Sequence, residues 1–250
     1  MRLEITTHIG CPMMCTDCPQ KLLMSVYKGK RDMDFDEYCK AIDKVPKECR
    51  IDFSGMCEPF ANPRCADMIL YASDHPLALY TTLQGSTEED LEKLKDVRFE
   101  VITIHIPDKD GRSHFNITPE YLDLLSKWNC HAYSCHGNID DRVMPYLKSR
   151  YVITAMHDRA GNVEERPHKD LDPNVPLVCA TSGREMNHNV LLPDGTVITC
   201  CMDYGMTGIF GNLFEQSYEE VLNSPEAQRM RATLDKGESI CRHCFNATYL

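Results

Sequence analysis

The 250-residue chain has no apolar run of about 18 residues, so a membrane-spanning helix is not expected. Its opening stretch, MRLEITTHIGC, carries acidic and polar residues where a secretory signal needs an apolar core. It has no internal repeat and no low-complexity tract. At 42% hydrophobic and 26% charged it lies in the globular range, which excludes a disordered or collagen-like chain. Basic residues are in deficit, with 27 Lys and Arg against 38 Asp and Glu and a net charge of −11. Phosphate binding needs clustered Lys and Arg, so no nucleic acid is expected as partner. A cytoplasmic location is the expectation, and there thiols stay reduced. What the chain does have is 14 cysteines, which in such a compartment point to metal ligands or catalytic groups rather than disulfides.

Short apolar runs alternate with helical patterns over residues 1–157. Strands are expected at Leu3–His8, Arg50–Ser54, Ala78–Leu83, Val101–Ile106, Cys130–Cys135 and Val152–Met156. Helices are expected near 34–45, 64–74, 87–95, 119–127 and 141–148, with Asp34 and Thr118-Pro119 as starts. The alternation implies an α/β fold, an open, partial (β/α)6 barrel with a parallel sheet. Residues 158–176 are polar and proline-rich and read as a linker. Residues 177–250 form a smaller unit in which VLLPDGTVITCC is a hairpin around Asp194-Gly195, followed by helices over Ser217–Leu222 and Pro225–Leu234.

Cys11, Cys15 and Cys18 stand in GCPMMCTDCPQ, just past the first strand. Zinc sites want C-x2-C pairs and a fourth ligand, and ferredoxin spacings supply four cysteines per cluster. Three thiols on an iron–sulfur cubane leave one iron open to another ligand. The C-terminal ends of barrel strands are where chemistry sits. Three unrelated buried thiols are the bland alternative. After the second strand comes FSGMCEP, Phe53 to Pro59, which is at least a strand-to-helix turn.

A second group comprises Cys179, Cys200, Cys201, Cys241 and Cys244, with Cys241-Arg-His-Cys244 a C-x2-C pair. Four such thiols suit tetrahedral zinc or a [4Fe–4S] cluster, and spacing does not separate the two.

On GCPMMCTDCPQ and FSGMCEP the chain resembles the radical S-adenosylmethionine superfamily. The resemblance implies a [4Fe–4S] cluster on Cys11, Cys15 and Cys18, whose unique iron is chelated by S-adenosylmethionine. It also implies a cofactor-binding turn of Gly55, Met56, Glu58 and Pro59, with Glu58 on the methionine amino group. Two positions depart from the pattern. Asp17 stands where an aromatic residue is usual, and Cys57 where a second glycine is usual and a positive φ would strain it. The second group resembles the twitch domain, a short form of the SPASM domain. That likeness implies an auxiliary [4Fe–4S] cluster on Cys179, Cys200, Cys241 and Cys244, with Cys201 spare. The six residues after Cys244 hold no cysteine, which fits the short form.

A cluster with four protein ligands has no open iron, so its natural role is to pass an electron. The function expected is therefore a radical S-adenosylmethionine oxidoreductase that turns an alcohol of a small polyol, sugar or cyclitol into a ketone, served by a flavodoxin- or ferredoxin-type donor. The rivals are a peptide-modifying enzyme of the same superfamily, an epimerase, and a non-catalytic iron–sulfur or zinc scaffold. Many peptide modifiers carry a leader-binding domain before the barrel, whereas here the motif starts at residue 11. His8, His105, Cys135, His136 and His157 fall at strand ends, where an acid or base would come from. His105 and His136 are the preferred candidates, and Cys135 is a candidate hydrogen-atom donor. Cys39, Cys49, Cys65 and Cys130 are expected to be packing.

Overall fold

The computed structural model describes residues 1–148, 152–153, 158–163, 166 and 169–250. Strand β1 (Arg2–Ile5) leads through the cysteine loop into helix α1 (Gln20–Val26) and then α2 (Phe35–Ile42). The pattern continues with β2 (Arg50–Phe53), α3 (Cys65–Tyr71), β3 (Leu77–Thr81), α4 (Glu88–Leu94), β4 (Val101–His105), α5 (Pro119–Lys127), β5 (Ala132–Ser134) and β6 (Val152–Ile153). These six strands pair in parallel in chain order. This is the partial-barrel α/β fold expected from the alternation.

The starts of α2 and α5 have the expected chemistry. The Asp34 carboxylate accepts from the backbone of Asp36 and Glu37, and the Thr118 hydroxyl accepts from Tyr121. The helix expected over 141–148 is not formed. Only a single 3₁₀ turn, Met144–Tyr146, is present there, because Pro145 lacks the N–H that a continuing helix would use. Helix α1 was not anticipated; it has no side-chain cap, and Pro19 precedes it. Of the strand expected over Val152–Met156, residues 154–156 lie outside the described residues, as does His157.

The strands alternate rather than being apolar throughout. Leu3, Ile5, Ile51, Phe53, Leu77, Leu79 and Ile104 face the core shared with Tyr38, Ile42, Ile69 and Leu125. The opposite residues are polar yet buried, among them Glu4, Asp52 and Thr103. Period two along a strand puts these on the barrel's inner side. Thr103 lines a cavity there, while Glu4 pairs with His188 and Asp52 with Arg50.

The C-terminal segment continues the same sheet. Strands β8 (His188–Leu191) and β9 (Thr196–Ile198) form the expected hairpin, with Gly195 at φ +86°, and β10 (Ile209–Asn212) pairs with β9. Strand β8 runs parallel to β1, with Arg2 opposite His188 and Ile5 opposite Leu191. The sheet therefore has nine strands among the described residues. Under the cysteine loop, Ile9, Leu23, Tyr27 and Met56 pack with Val190, Leu192, Ile198 and Tyr204 in a second core. The remaining elements are β7 (Leu177–Cys179), α6 (Tyr218–Leu222), α7 (Pro225–Ala232) and β11 (Ala247–Tyr249). Strands β7 and β11 pair antiparallel, which sets Cys179 opposite Ala247. Among the described residues no helix is long and apolar enough to cross a membrane.

Arg242, inside the C-x2-C turn, is fully buried and donates to the carbonyls of Gly237, Asp172, Val175 and Thr233 at 2.6–3.0 Å. Its removal leaves four half-buried carbonyls without their donor. Arg242→Leu is expected to cost roughly 3–5 kcal/mol in denaturant unfolding; a loss below about 1 kcal/mol would show that the turn does not depend on this side chain.

Candidate functional site

One cavity of about 230 Å³ lies at the C-terminal end of the barrel strands. Its walls include Cys11, Cys15, Cys18, Gly55, Met56, Glu58, His105 and His136. Residues far apart in sequence thus converge on one place. The loop after β1 supplies the thiols, the turn after β2 supplies Gly55 to Glu58, and β4 and β5 supply the histidines.

The turn after β2 is fixed by close packing on β1. Gly55 has φ +54°, and a Cβ there would lie 2.9 Å from the backbone of Thr6. Met56 N donates to Thr6 Oγ1 at 3.1 Å, and Glu58 N donates to Cys11 Sγ at 3.4 Å. Cys57 is not among the residues with positive φ, so the strain considered for it does not arise. Pro59 does not line the cavity; its carbonyl accepts from Thr7 Oγ1 at 2.7 Å and braces the turn.

Glu58 is buried and its carboxylate is fully used. Oε1 accepts from Thr81 Oγ1 and Phe60 N, and Oε2 from Thr82 Oγ1 and Thr82 N. Burial raises its pKa, while these donors oppose the rise. Both oxygens serve to tie the turn to the end of β3. In this geometry the side chain brackets the site and leaves the backbone of the turn to face the cavity.

Asp17, the departure from an aromatic residue, has a structural account. It is 4% exposed and meets Arg112 at 2.8 and 3.0 Å and Arg166 at 2.9 Å. Burial alone would raise its pKa, but the two guanidiniums hold the carboxyl down to about 2. The cysteine loop is thereby clasped to the loop after β4 and to the segment that follows the barrel.

His105 and His136 stack with ring centroids 4.3 Å apart. His105 Nδ1 meets Ser134 Oγ at 3.0 Å, and burial, reinforced by His136 and Arg159, pushes its pKa down to about 3. His136 is also lowered by burial, and its Nδ1 has no hydrogen-bond partner. Both rings are therefore neutral near pH 7, and His136 is the one with a lone ring nitrogen to offer. Cys135 does not fit the role considered for it. Alternation along β5 sends Ser134 and His136 to the cavity and Cys135 into the core, where its thiol meets Pro107 O at 3.9 Å. His8 is also elsewhere, paired with Asp32 at 2.6 Å.

Gln20, the last residue of the first motif, is also on the wall, and the cavity has further walls that the motifs did not reveal: Tyr80, Thr103, Arg159 and Tyr204. Tyr80 and Thr103 follow from the strand-end rule once the register is known. Arg159 stands at φ +50° in the segment after the barrel, a position without any sequence signature.

A second cavity, of about 160 Å³, is lined by Cys179, Cys200, Cys201, Cys241 and Cys244. The neighbouring charges separate the two adjacent cysteines. Both thiols are raised chiefly by burial, but Cys200 then feels Cys241 and Cys244, whereas Cys201 feels Glu4 and Arg159. Both thiols line this cavity beside the C-x2-C pair. Burial pushes Cys15 and Cys241 up to about 12, so ligation at these thiols must release protons. Among the described residues no group of three or more His, Cys, Asp and Glu side chains is gathered around the position of a single metal ion. The thiols rim two cavities.

Residues 179–245 match the family model of SPASM, an iron–sulfur cluster-binding domain. The match starts on Cys179 and contains Cys200, Cys241 and Cys244. No curated protein matches the chain. Among solved structures, BtrN in complex with AdoMet and 2-DOIA is similar over all of this chain and 93% of its own, with 17% identity and a TM-score of 0.66. The structure of anSMEcpe with bound AdoMet and the Kp18Cys peptide is similar over 98% of this chain and 87% of its own, with 14% identity and a TM-score of 0.57. Streptococcus suis SuiB bound to its precursor peptide SuiA covers 97% of this chain and 69% of its own, at 11% identity and a TM-score of 0.56. At such identities the likeness is one of fold. The chain shares the fold of these structures across barrel and C-terminal segment, and that segment carries the SPASM signature.

Two expectations follow from this geometry. Gly55→Ala must move the Thr6 backbone or abandon its φ, so iron bound after anaerobic reconstitution should fall at the first site and persist at the second; equal loading of both would show that the turn tolerates a Cβ. Asp17→Asn should cost roughly 2–4 kcal/mol at pH 7 in the metal-free protein. Because the folded pKa is depressed from 3.8 to about 2, that difference is full above about pH 4 and shrinks as pH falls toward 2. A deficit that grows with acidity would contradict the clasp.

Proposed function

We propose that the chain is a radical S-adenosylmethionine oxidoreductase acting on a small polyol, sugar or cyclitol. Loaded with two [4Fe–4S] clusters and S-adenosylmethionine, it would supply a 5′-deoxyadenosyl radical to take a hydrogen atom from a carbinol carbon and a closed auxiliary cluster to take the remaining electron, leaving a ketone. The observation that supports this most is the convergence of Cys11, Cys15, Cys18 and the Gly55–Glu58 turn on the same cavity as His105 and His136.

The protein's own residues divide the remaining work. Cys11, Cys15 and Cys18 would hold the open cluster. Cys179, Cys200, Cys241 and Cys244 would hold the closed one, with Cys200 preferred to Cys201 because the charges of Cys241 and Cys244 act on it. The turn backbone at Met56 and Cys57, braced by Glu58, would seat the methionine end of the cofactor. His136 would accept the carbinol hydroxyl proton, since it is neutral and its Nδ1, 4.0 Å from Asp17 Oδ2, makes no hydrogen bond. Thr103, Ser134 and His105 give the mouth a neutral, hydrogen-bonding lining suited to hydroxyl groups. The plan is similar to that of 2-deoxy-scyllo-inosamine dehydrogenase, and the fold likeness to BtrN agrees with it.

The test is anaerobic reconstitution and reduction, followed by incubation with sugars, cyclitols and peptides while 5′-deoxyadenosine and ketone are measured. Deoxyadenosine should rise above background with a polyol and be matched by ketone. Release with peptides alone would favour the peptide-modifying reading, and no release with clusters confirmed would end the enzyme reading. Cys244→Ala should spare deoxyadenosine formation and abolish ketone, and ketone at the original yield would remove the auxiliary cluster from the reaction. With burial holding His136 below the ordinary histidine range, kcat/KM should be level through neutral pH and fall only in more acid solution than a free imidazole would require. His136→Gln should lower ketone formation by about 100-fold or more.

A further inference from the structure

The Tyr204 hydroxyl lies 3.4 Å from Cys18 Sγ. Tyr204 is 2% exposed, and its ring is fixed in the core formed by Ile9, Leu23, Met56 and the β8–β9 hairpin. Its backbone is fixed too. Tyr204 N donates to Met202 O and Asp203 N to Cys200 O, both at 3.0 Å. The Asp203 carboxylate closes the loop by accepting from Thr207 N, Thr207 Oγ1 and Gly208 N at 2.8–2.9 Å. Five residues, Cys200 to Tyr204, therefore run from the second thiol-lined cavity to a ligand position of the first.

A thiolate bound to iron carries no proton, so in the loaded protein this contact has one sense: the hydroxyl donates and the sulfur accepts. Gln20 Nε2 also approaches Cys18 Sγ, at 3.7 Å, but it donates to Met56 O as well. A donor to a cluster sulfur stabilises the reduced, more negative state and raises the potential. We infer that Tyr204 is a positioning residue that donates to the Cys18 thiolate and sets the reduction potential of the first cluster from within the auxiliary segment. The inference rests on the reading of Cys11, Cys15 and Cys18 as cluster ligands.

The experiment is a redox titration followed by electron paramagnetic resonance on the reconstituted full chain and on Tyr204→Phe, with iron and sulfide counted for each. The first cluster is identified as the signal that changes on adding S-adenosylmethionine. In Tyr204→Phe the equilibrium constant for its one-electron reduction should fall about tenfold, which is a midpoint about 59 mV more negative. The auxiliary midpoint should stay where it is. Equal first-cluster midpoints in the two proteins would overturn the inference. Iron content unaffected by Cys18→Ala would instead overturn the underlying cluster reading, which keeps the two failures apart. Should Tyr204→Phe not fold, Tyr204→Met fills the same apolar space without a hydroxyl and is read in the same way.

Discussion

Parallel pairing of β1 with β2 on one side and β8 on the other is the interaction on which both cavities depend. The cysteine loop leaves the C-terminal end of β1, and the turn that packs on Thr6 leaves the end of β2. The hairpin that begins at β8 carries Cys200 and Tyr204 onward. Backbone hydrogen bonds within one sheet thus fix the relative placement of thiols that lie more than 180 residues apart in sequence. No flexible side chain has to bridge that separation.

The second constraint is the polar inner face of the barrel, where buried ionisable groups are satisfied in different ways. Glu58 is neutralised in effect by four donors from neighbouring backbone and threonines. Asp17 has two guanidiniums. Glu4 meets His188 Nε2 at 2.7 Å and accepts from Ser54 at 2.8 Å, and these partners hold its pKa below the ordinary value although burial opposes them. Each arrangement removes a cost that an unpaired buried charge would impose on the fold. His136 Nδ1 and Gln20 Oε1 are two buried polar atoms on the cavity wall that make no hydrogen bond, with Asp17 Oδ2 4.0 Å from the histidine nitrogen.

Much of the architecture was legible because its signals are local. Strand–helix alternation, the Asp34 and Thr118 caps and the Asp194-Gly195 turn each depend on a few neighbouring residues, and each formed as expected. Errors arose where local signals conflict or are missing. Pro145 broke the periodicity at 141–148, and α1 begins without a cap inside a motif whose cysteines dominate the reading. Cys135 was misjudged because a strand's end marks a useful position but its register decides which side chain faces inward. Arg159, Tyr204 and the Asp17 clasp could not be read at all. They depend on segments distant in sequence meeting at the barrel mouth.

Because β8 covers the flank of β1, the first barrel strand has no open edge. A chain ending before the hairpin would leave the backbone groups of β1 unpaired along an apolar flank, a template for pairing with another copy. The C-terminal segment is therefore also a guard against self-association, and its loss would change how the barrel behaves in a crowded solution even where no cluster is ever inserted.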